Sequence, residues 1–500
     1  MKWMHDKQDR NKLKLFRYMR TRGEAPVLQV MEDLDMSRYI VLSTTQQLAI
    51  DIEMITGMTD GILIEGGSDV RFSVPATVLD WESLGLHYLM TSIRGRMVHE
   101  LFHEQVTSWE EFAFDVDVSV PKMYKERAQV AEGLAREGIR ISRDYKLVGN
   151  EEHIRLFKFE MLTYYNGRRD SPFPIDVQEQ AREVVNEIIV PECGTLRETQ
   201  LVGLRHLYAI WWSRFRQRHF VSTGFTNRFL KPTAELSDRS RRLIHLLMER
   251  MSDTPDLPVE TAASEARFII LTMHTLGLFP PEQMMTDVTD SVIQYWHHFE
   301  RALKESYYCL FMLRADQVDI RSVTRVLEPE ILRFFVFPYV GEEDYEYMTN
   351  VADIAPEYPL AYEFSKDVMH HFSEFTGVPA RDLDNFMLPD LIATVMGYPN
   401  FYRAIPAVNI TIDFGGHHGI EEVMAMSLNG LPGYKIQINH VLSEYTDILV
   451  TDAPQPKDEP YTALIWRGIG TPGQMTELLQ EINRVKMKKF NAWRDNNKHK

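Results

Sequence analysis

The stretch SWEEFAFDVDVSVPKMYKERAQVAEGLAREGIRISRDYKLVG (Ser108–Gly149) decides the fold of this chain. Its first residues predict a short helix, and Ser119 then provides an oxygen that caps a longer helix over residues 120–137. Gly138 ends that helix, because glycine adopts the left-handed conformation at a helix C-terminus without strain. Residues 139–149 alternate apolar and polar side chains, which predicts a β-hairpin. A short helix, a bend, a longer helix and a hairpin form the order of a winged helix-turn-helix unit.

An earlier part of the chain repeats this order. Ser37 stands before a predicted long helix, as Ser119 does, and Gly66-Gly67 lies in the middle of an alternating stretch. The predicted elements are helices over Asp9–Arg22, Pro26–Leu34 and Arg38–Ile52, a hairpin over Gly61–Val74 and a helical connector over Asp80–Glu104. The spacing of one copy also fits a helical hairpin without a ligand. Two copies favour two winged helix-turn-helix units in tandem.

Basic side chains near the start of the second long helix predict contacts with duplex DNA, since recognition helices place such residues in the major groove. The second unit is the expected base reader, because Arg38 is the only basic residue in the opening turns of the first long helix. The predicted DNA-binding residues are Lys122, Lys125 and Arg127 of the second unit, and Arg38, Tyr39, Lys12 and Lys14 of the first.

The remaining chain changes character. Residues 166–400 show helical periodicity with a break at Pro280-Pro281, whereas a strand and helix rhythm from Ala407 predicts a small, mostly parallel sheet. We therefore expect a mainly α, multidomain protein. Its expected segments are 1–78 (first winged unit), 79–165 (helical connector and second winged unit), 166–279 and 280–400 (two all-helical domains), 401–490 (an α/β domain) and 491–500 (a basic tail).

Composition narrows the functional classes. The formal net charge of the 500 residues is −17, but residues 1–22 and 484–500 each sum to +6, so basic ends are available for DNA. The two cysteines exclude a disulfide framework and a cysteine-based zinc site. No stretch has 18 consecutive apolar residues, and the first residues lack the apolar core of a secretory signal. We expect a cytoplasmic protein without membrane contact, cofactor or metal.

One motif supports a different function. His99-Glu100-Leu101-Phe102-His103 has the H-E-x-x-H pattern of zinc peptidases, in which two histidines bind the metal and the glutamate is the general base. A catalytic zinc needs a third protein ligand and an open cleft. The following residues lead directly into the predicted DNA-binding unit, where Glu110 and Glu111 are the available third ligands. A connector helix with exposed histidines is therefore the preferred interpretation.

The order of these segments and their sequence motifs resemble those of the Mga/AtxA family of virulence regulators of Gram-positive bacteria, over essentially the whole chain. The resemblance is carried by residues 13–52 and, more specifically, by residues 109–157 with the G-[DN]-E-x-x-I-R pattern at Gly149, Asn150, Glu151, Ile154 and Arg155. It implies two DNA-binding domains, two helical regulation domains of the phosphotransferase-system type (PRD) and a C-terminal domain similar to IIB sugar-transport components.

The resemblance also implies regulation by phosphate. In that family, a phosphocarrier protein of the phosphotransferase system modifies histidines of the regulation domains, which corresponds here to His206 in the first domain and to His371 or His298 in the second. Histidines on such helices are more often ordinary core or surface residues. IIB enzymes use a cysteine after their first strand, whereas this chain has FGGHHG (Phe414–Gly419), so the last domain is expected to form a homodimer or larger homo-oligomer rather than to relay phosphate.

The predicted function is a non-enzymatic, DNA-binding global regulator of transcription, an activator of virulence or carbohydrate-related genes tuned by histidine phosphorylation. Two alternatives stay open: the zinc peptidase, and an RNA-binding antiterminator that shares such regulation domains. The antiterminators carry a short β-rich RNA module at the position where this chain has helix-turn-helix units.

Overall fold

A computed structural model describes residues 2–166, 172–337, 355, 358–398, 401, 404–415, 418–431, 434–454, 456 and 459–497. The chain divides into two compact units, Met1–His274 with Leu278–Asp287, and Thr275–Gly277 with Val288–Lys500. Helices predominate in both. Among the described helices, none combines the length and the apolar character that a membrane span requires.

The first repeat is built from three helices and a small antiparallel sheet. Its elements are α1 (Lys7–Arg22), β1 (Glu24–Pro26), α2 (Val27–Leu34), α3 (Arg38–Thr56), β2 (Ile62–Glu65) and β3 (Asp69–Phe72). The strand order is β1-β3-β2. Helix α3 runs four residues beyond its predicted end at Ile52 and stops at Gly57, which has a φ of 77°.

The segment predicted as a helical connector over Asp80–Glu104 is helical and consists of two helices, α4 (Trp81–Thr91) and α5 (Ile93–Phe102). Ser92 separates them in an extended conformation, and its hydroxyl accepts a hydrogen bond from the amide of Gly95 at 2.9 Å. Leu84 and Tyr88 of α4 belong to the core of the first repeat. Helix α5 supplies the first helix of the second repeat.

The second repeat continues with two helices and a short hairpin. Its elements are α6 (Trp109–Asp115), α7 (Val120–Arg136), β4 (Arg140–Ile141) and β5 (Leu147–Val148), and they lead into α8 (Glu151–Asn166). Strands β4 and β5 pair antiparallel.

The rest of the first unit is helical. After α9 (Ile175–Val184), a π-helical turn over Val185–Ile189 leads into α10 (Val190–Cys193). The following helices are α11 (Glu198–Arg216), α12 (Asp238–Met251), α13 (Val259–Thr275) and α14 (Pro281–Asp287). Helix α11 lies deepest in this unit, with Tyr208 and Trp211 at 1% and 0% exposure.

The second unit joins four helices to an α/β region. Its helices are α15 (Asp290–Phe311), α16 (Ile320–Val336), α17 (Pro359–Thr376) and α18 (Ala380–Gly397), followed by β6 (Val408–Asp413), α19 (His418–Asn429), β7 (Ile436–Asn439), β8 (Ile448–Thr451), β9 (Thr462–Ile465) and α20 (Pro472–Asn497). All the strands are parallel, in the order β7-β6-β8-β9. Strand β9 was not predicted.

Residues 491–497 of the predicted basic tail are helical, since α20 continues to Asn497. Phe490 of this helix is 1% exposed and packs against Phe311. Two lysines of the basic C-terminal segment make contacts within the fold. Lys486 is buried, with its ammonium 4.5 Å from the Tyr434 ring, and Lys489 forms an ion pair with Asp447. These two side chains are therefore unavailable to DNA phosphates.

Candidate nucleic-acid interface

The two helix-turn-helix bends share one backbone geometry. Asp35 and Asp117 occupy the left-handed region with φ of 50° and 52°, and each stands two residues before the serine that precedes the long helix. In both bends an amide bonds to the carbonyl five residues earlier, Met36 to Met31 at 3.0 Å and Val118 to Ala113 at 2.9 Å. Ser37 caps α3 by accepting from the amide of Ile40 at 3.4 Å, whereas Ser119 makes no such bond and Pro121 lies in the first turn of α7.

Helix α7 divides its basic residues between solvent and protein. Lys122 and Lys125 are exposed, while Met123 and Val130 face the core. Arg127 is half-buried, and its guanidinium lies 5.3 Å from the centroid of the Trp109 ring. The two lysines are therefore the residues of this helix that are placed to reach a phosphate or a base edge, and Arg127 joins α7 to α6.

Helix α3 presents a different surface. Arg38 is exposed and donates to the carbonyl oxygen of Gly67 at 2.9 Å, which ties the start of the helix to the tip of the hairpin. Tyr39 is 79% exposed, and Ile50 and Met54 farther along are 62% and 69% exposed. This helix offers apolar contacts and one cation, consistent with a smaller electrostatic contribution than that of α7.

The prediction for Lys12 meets a structural obstacle. Its side chain is 9% exposed and forms ion pairs with Asp9 at 2.9 Å and Asp51 at 2.7 Å, while its ammonium lies 4.1 Å from the ring of Tyr88. A cation held by two carboxylates inside the fold is not placed to contact a phosphate. Lys14, two residues later on the opposite side of α1, is exposed.

Two cations of the second hairpin were missed in the sequence. Arg140 on β4 and Arg143 in the turn are both exposed. The alternating pattern IRISRDYK predicts a wing, and wings commonly contact phosphates. This pattern could therefore have identified Arg140 and Arg143 as DNA-binding residues. Exposed carboxylates accompany these cations, among them Asp144 of the same turn, Glu110, Glu111 and Asp115 of α6 and Asp117 of the bend, so the surface of the second repeat has mixed charge.

A buried ionic network joins the second repeat to the helices that follow. Arg155 is 1% exposed and donates to Glu265 at 2.7 Å and to Glu151 at 2.9 Å, and Arg214 makes two further bonds to Glu151 at 2.9 and 2.7 Å. The indole of Trp211 donates to Glu265 at 2.7 Å. The motif at residues 149–155 thus has a structural role, because Glu151 and Arg155 fix α8 to α11 and α13.

Glu104 extends these connections to the hairpin. Its carboxylate accepts from Lys146 at 2.7 Å and contacts Nε2 of His219 at 2.5 Å. Although desolvation opposes ionisation, the hydrogen bonds from these two partners hold the pKa of Glu104 below its ordinary value. Lys146 precedes β5 and His219 follows α11, so one carboxylate connects the hairpin with the helical body.

The H-E-x-x-H residues do not form a metal site. Nδ1 of His99 lies 3.2 Å from the buried ammonium of Lys158, which introduces a cation beside the nitrogen that a metal would need. Glu100 pairs instead with Arg96 at 3.2 Å. Within the described residues, no group of three or more metal-ligating side chains is placed to hold an ion. This arrangement argues against the zinc peptidase.

The predicted phosphorylation sites differ in access. His206 on α11 is 2% exposed, and burial lowers its pKa to about 4. His298 on α15 and His371 on α17 are half-buried, and each ring lies 6.3 Å from the ring of Phe375. The guanidinium of Arg301 lies 4.1 Å from the same ring. The structure therefore places the two predicted histidines of the second unit beside one phenyl ring, with Asp367 and Glu374 at 3.6 and 3.3 Å from the ring nitrogens of His371, whereas His206 is buried in a core.

The glycine turn after β6 is occupied by carboxylates of the chain itself. The amide of Phe414 donates to Glu421 at 2.9 Å, and that of Gly415 donates to Asp452 at 3.2 Å. Backbone amides at such a strand-to-helix junction are the groups that would hold an anion. Here these two amides already have anionic partners. His417 and Gly416 lie outside the described residues.

Comparison with known proteins gives one assignment. Residues 79–162 match the family model of the Mga helix-turn-helix domain. The match spans α4 to α7, the second hairpin and most of α8, so this segment is similar to a DNA-binding helix-turn-helix domain. No curated protein sequence matches the chain.

Proposed function

We propose that this chain is a DNA-binding transcriptional regulator that uses its two repeats as tandem winged helix-turn-helix domains. The observation that carries the proposal is the Mga helix-turn-helix match over residues 79–162, on a segment whose long helix exposes Lys122 and Lys125. Helix α7 would enter the major groove and read bases, and α3 would enter an adjacent groove through Arg38 and Tyr39. Lys122 and Lys125 near the start of α7 would also bind phosphates, as would the exposed Lys14, Arg140 and Arg143.

We further propose that phosphorylation of histidines tunes this activity, through transient contact with a phosphocarrier protein of the phosphotransferase system. His371 and His298 are supported by their partial exposure and by the proximity of Arg301 to the shared Phe375 ring. A phosphoryl group adds negative charge and strong acceptors that an arginine can bind. His206 remains the proposed site in the first regulation domain, and its burial means that a phosphoryl donor reaches it only after local opening.

The C-terminal α/β region is proposed to be a IIB-like domain that serves self-association and does not relay phosphate. It lacks the cysteine of the IIB enzymes, and Glu421 and Asp452 hold two amides of the turn where phosphate would bind. Val423 and Met426 of α19 are 44% and 75% exposed, which leaves an apolar surface for a second copy of the chain. The regulated genes are proposed to be virulence or carbohydrate genes of a Gram-positive bacterium, and the site of action its cytoplasm.

The experiment compares nucleic acids directly. The full chain is mixed with a random-sequence DNA duplex pool and, separately, with an RNA hairpin pool of equal length, at 100 mM salt. Enrichment of specific duplexes supports the proposal. Enrichment of hairpins alone would replace it with the antiterminator alternative, and failure to retain either pool would contradict nucleic-acid binding.

A further inference from the structure

Residues 2–5, which precede α1 of the first repeat, pack against the second repeat. Lys2–Met4 form a single 3-10 turn, and the indole of Trp3 stacks on Phe157 of α8 at a centroid distance of 6.4 Å. The same indole covers Gly133 of α7, where a Cβ atom would lie 2.3 Å from Cδ2 of Trp3. Glycine at position 133 is therefore required by the tryptophan, not by the helix, which prefers alanine.

The backbone of this segment is fixed as well. The guanidinium of Arg94 on α5 donates to the carbonyl oxygen of Trp3 at 2.8 Å, and its Nε donates to Glu126 of α7 at 2.6 Å. Met4 and His5 are 0% and 1% exposed. One arginine thus holds the segment, α5 and the long helix of the second repeat together.

A second connection lies on α4. The hydroxyl of Tyr88 donates to Asp51 of α3 at 2.6 Å, and its ring covers the ammonium of Lys12. Helix α4 then continues through Ser92 into α5 of the second repeat. The repeats are therefore linked at two separate places, and two links prevent the rotation that one connecting peptide would allow.

We propose that residues 2–5 act as a strap that holds α3 and α7 at one fixed separation and orientation. The partner that fits this device is a DNA duplex with two half-sites at a fixed spacing. This inference rests on the proposed function for its DNA partner, whereas the strap itself is a property of the free protein. Fixing two binding elements before association reduces the freedom lost on binding and penalises duplexes of the wrong spacing.

The strap is tested without DNA by measuring the distance between the two long helices. Spin labels are attached to Gln46→Cys on α3 and Ala128→Cys on α7, both exposed positions, in full-length protein carrying Cys193→Ala and Cys309→Ser. We expect one narrow distance distribution, at least a twofold broadening in Trp3→Ala and in Gly133→Ala, and no change in the exposed-site control Lys7→Ala. Trp3→Phe should keep most of the narrow distribution.

Gly133→Ala keeps this test decisive if Trp3→Ala folds poorly, because alanine favours the helix while its Cβ displaces the indole. The double variant Trp3→Ala/Gly133→Ala should broaden no more than either single variant, since both remove one contact. Narrow distributions in both single variants would overturn the strap.

The DNA consequence is tested with the duplexes that the wild-type protein selects from a random pool. We expect two half-sites, and an insertion of 5 base pairs, about half a helical turn, should weaken wild-type binding at least tenfold but Trp3→Ala binding less than threefold. A wild-type protein that tolerates the insertion would overturn the fixed spacing. If no duplex is selected, the proposed DNA function fails, and the spin-label distances still decide whether the strap exists.

Discussion

The ammonium of Lys158 lies 3.2 Å from Nδ1 of His99, inside the contact between the second repeat and α8. Lys158 is 0% exposed, and its ammonium is 5.0 Å from the centroid of the Phe102 ring. Burial lowers the pKa of Lys158 to about 7 and that of His103 to about 4. A motif that reads as a zinc site in the sequence is therefore part of a desolvated basic cluster.

Lys158→Met should stabilise the protein near neutral pH. The unfolded chain binds the proton at an ordinary pKa of 10.5 and the folded chain only below about 7, so Lys158 opposes folding increasingly as the pH falls between these values. We expect the free energy of unfolding to rise by roughly 2–4 kcal/mol at pH 7 and by less at pH 9.5. Urea unfolding of the full chain measures both values, with the exposed Lys14→Met as control. A loss of stability at pH 7 would show that the ammonium is stabilised in the core.

Glu104→Gln should loosen the second hairpin. The change removes the charge that binds Lys146 and His219, and charge-assisted hydrogen bonds of this kind contribute about 1–2 kcal/mol. Amide exchange of β4, β5 and the residues after α11 should then accelerate about 5–30-fold. Glu132→Gln, which breaks an exposed pair with Arg136, is the matched control and should leave exchange unchanged. Equal rates of amide exchange in Glu104→Gln and the wild type would show that Glu104 does not link the hairpin to the helical body.

Arg127→Ala should act mainly on stability. Its guanidinium packs on Trp109 in a half-buried setting, so we expect a loss of about 1 kcal/mol in the free energy of unfolding. Lys125→Ala, on the same helix but exposed, should change stability by less than about 0.5 kcal/mol. Thermal and urea unfolding of both variants provide the comparison. The assignment of Arg127 to packing is wrong if the two variants unfold alike.

Phosphorylation should reach the second unit first. When the chain is incubated with phosphoenolpyruvate and the general phosphotransferase proteins, we expect phosphate on His371 or His298 before His206, because His206 is 2% exposed. Mass spectrometry on samples prepared without acid locates the phosphorylated histidines at successive times. His371→Ala/His298→Ala should abolish the early signal, whereas the more exposed neighbour variant His370→Ala should not. Early labelling of His206 would show that α11 opens more readily than its burial indicates.

The sequence predicted the features that depend on neighbouring residues. The bend at Asp117 and the start of α7 after Ser119 follow from local turn preferences and from Pro121 in the first turn, and they are found where expected, although the predicted capping bond of Ser119 is not formed. Strand β9 was missed because Thr462–Ile465 is short and lacks a clear alternation of apolar and polar residues.

Features that depend on distant partners were not predictable. Nothing near Lys12 in the sequence shows that Asp51 will pair with it, and nothing near Arg155 identifies Glu265 as its partner 110 residues away. The same holds for Trp3 and Gly133, whose contact exists only after both repeats have folded. Basic residues were therefore assigned to DNA by position alone, and the structure separates Lys122 and Lys125 from Lys12 by exposure.

The salt dependence of DNA binding by Lys122→Ala/Lys125→Ala tests the central claim most directly. On a duplex selected by the wild-type chain, the slope of log K against log salt between 50 and 200 mM should become shallower by about 2, since each lost phosphate contact contributes about 0.9. The control Lys304→Ala/Arg321→Ala removes two exposed basic residues of the second unit and should keep the wild-type slope. Wild-type affinity and slope in a folded Lys122→Ala/Lys125→Ala variant would contradict the placement of α7 on DNA.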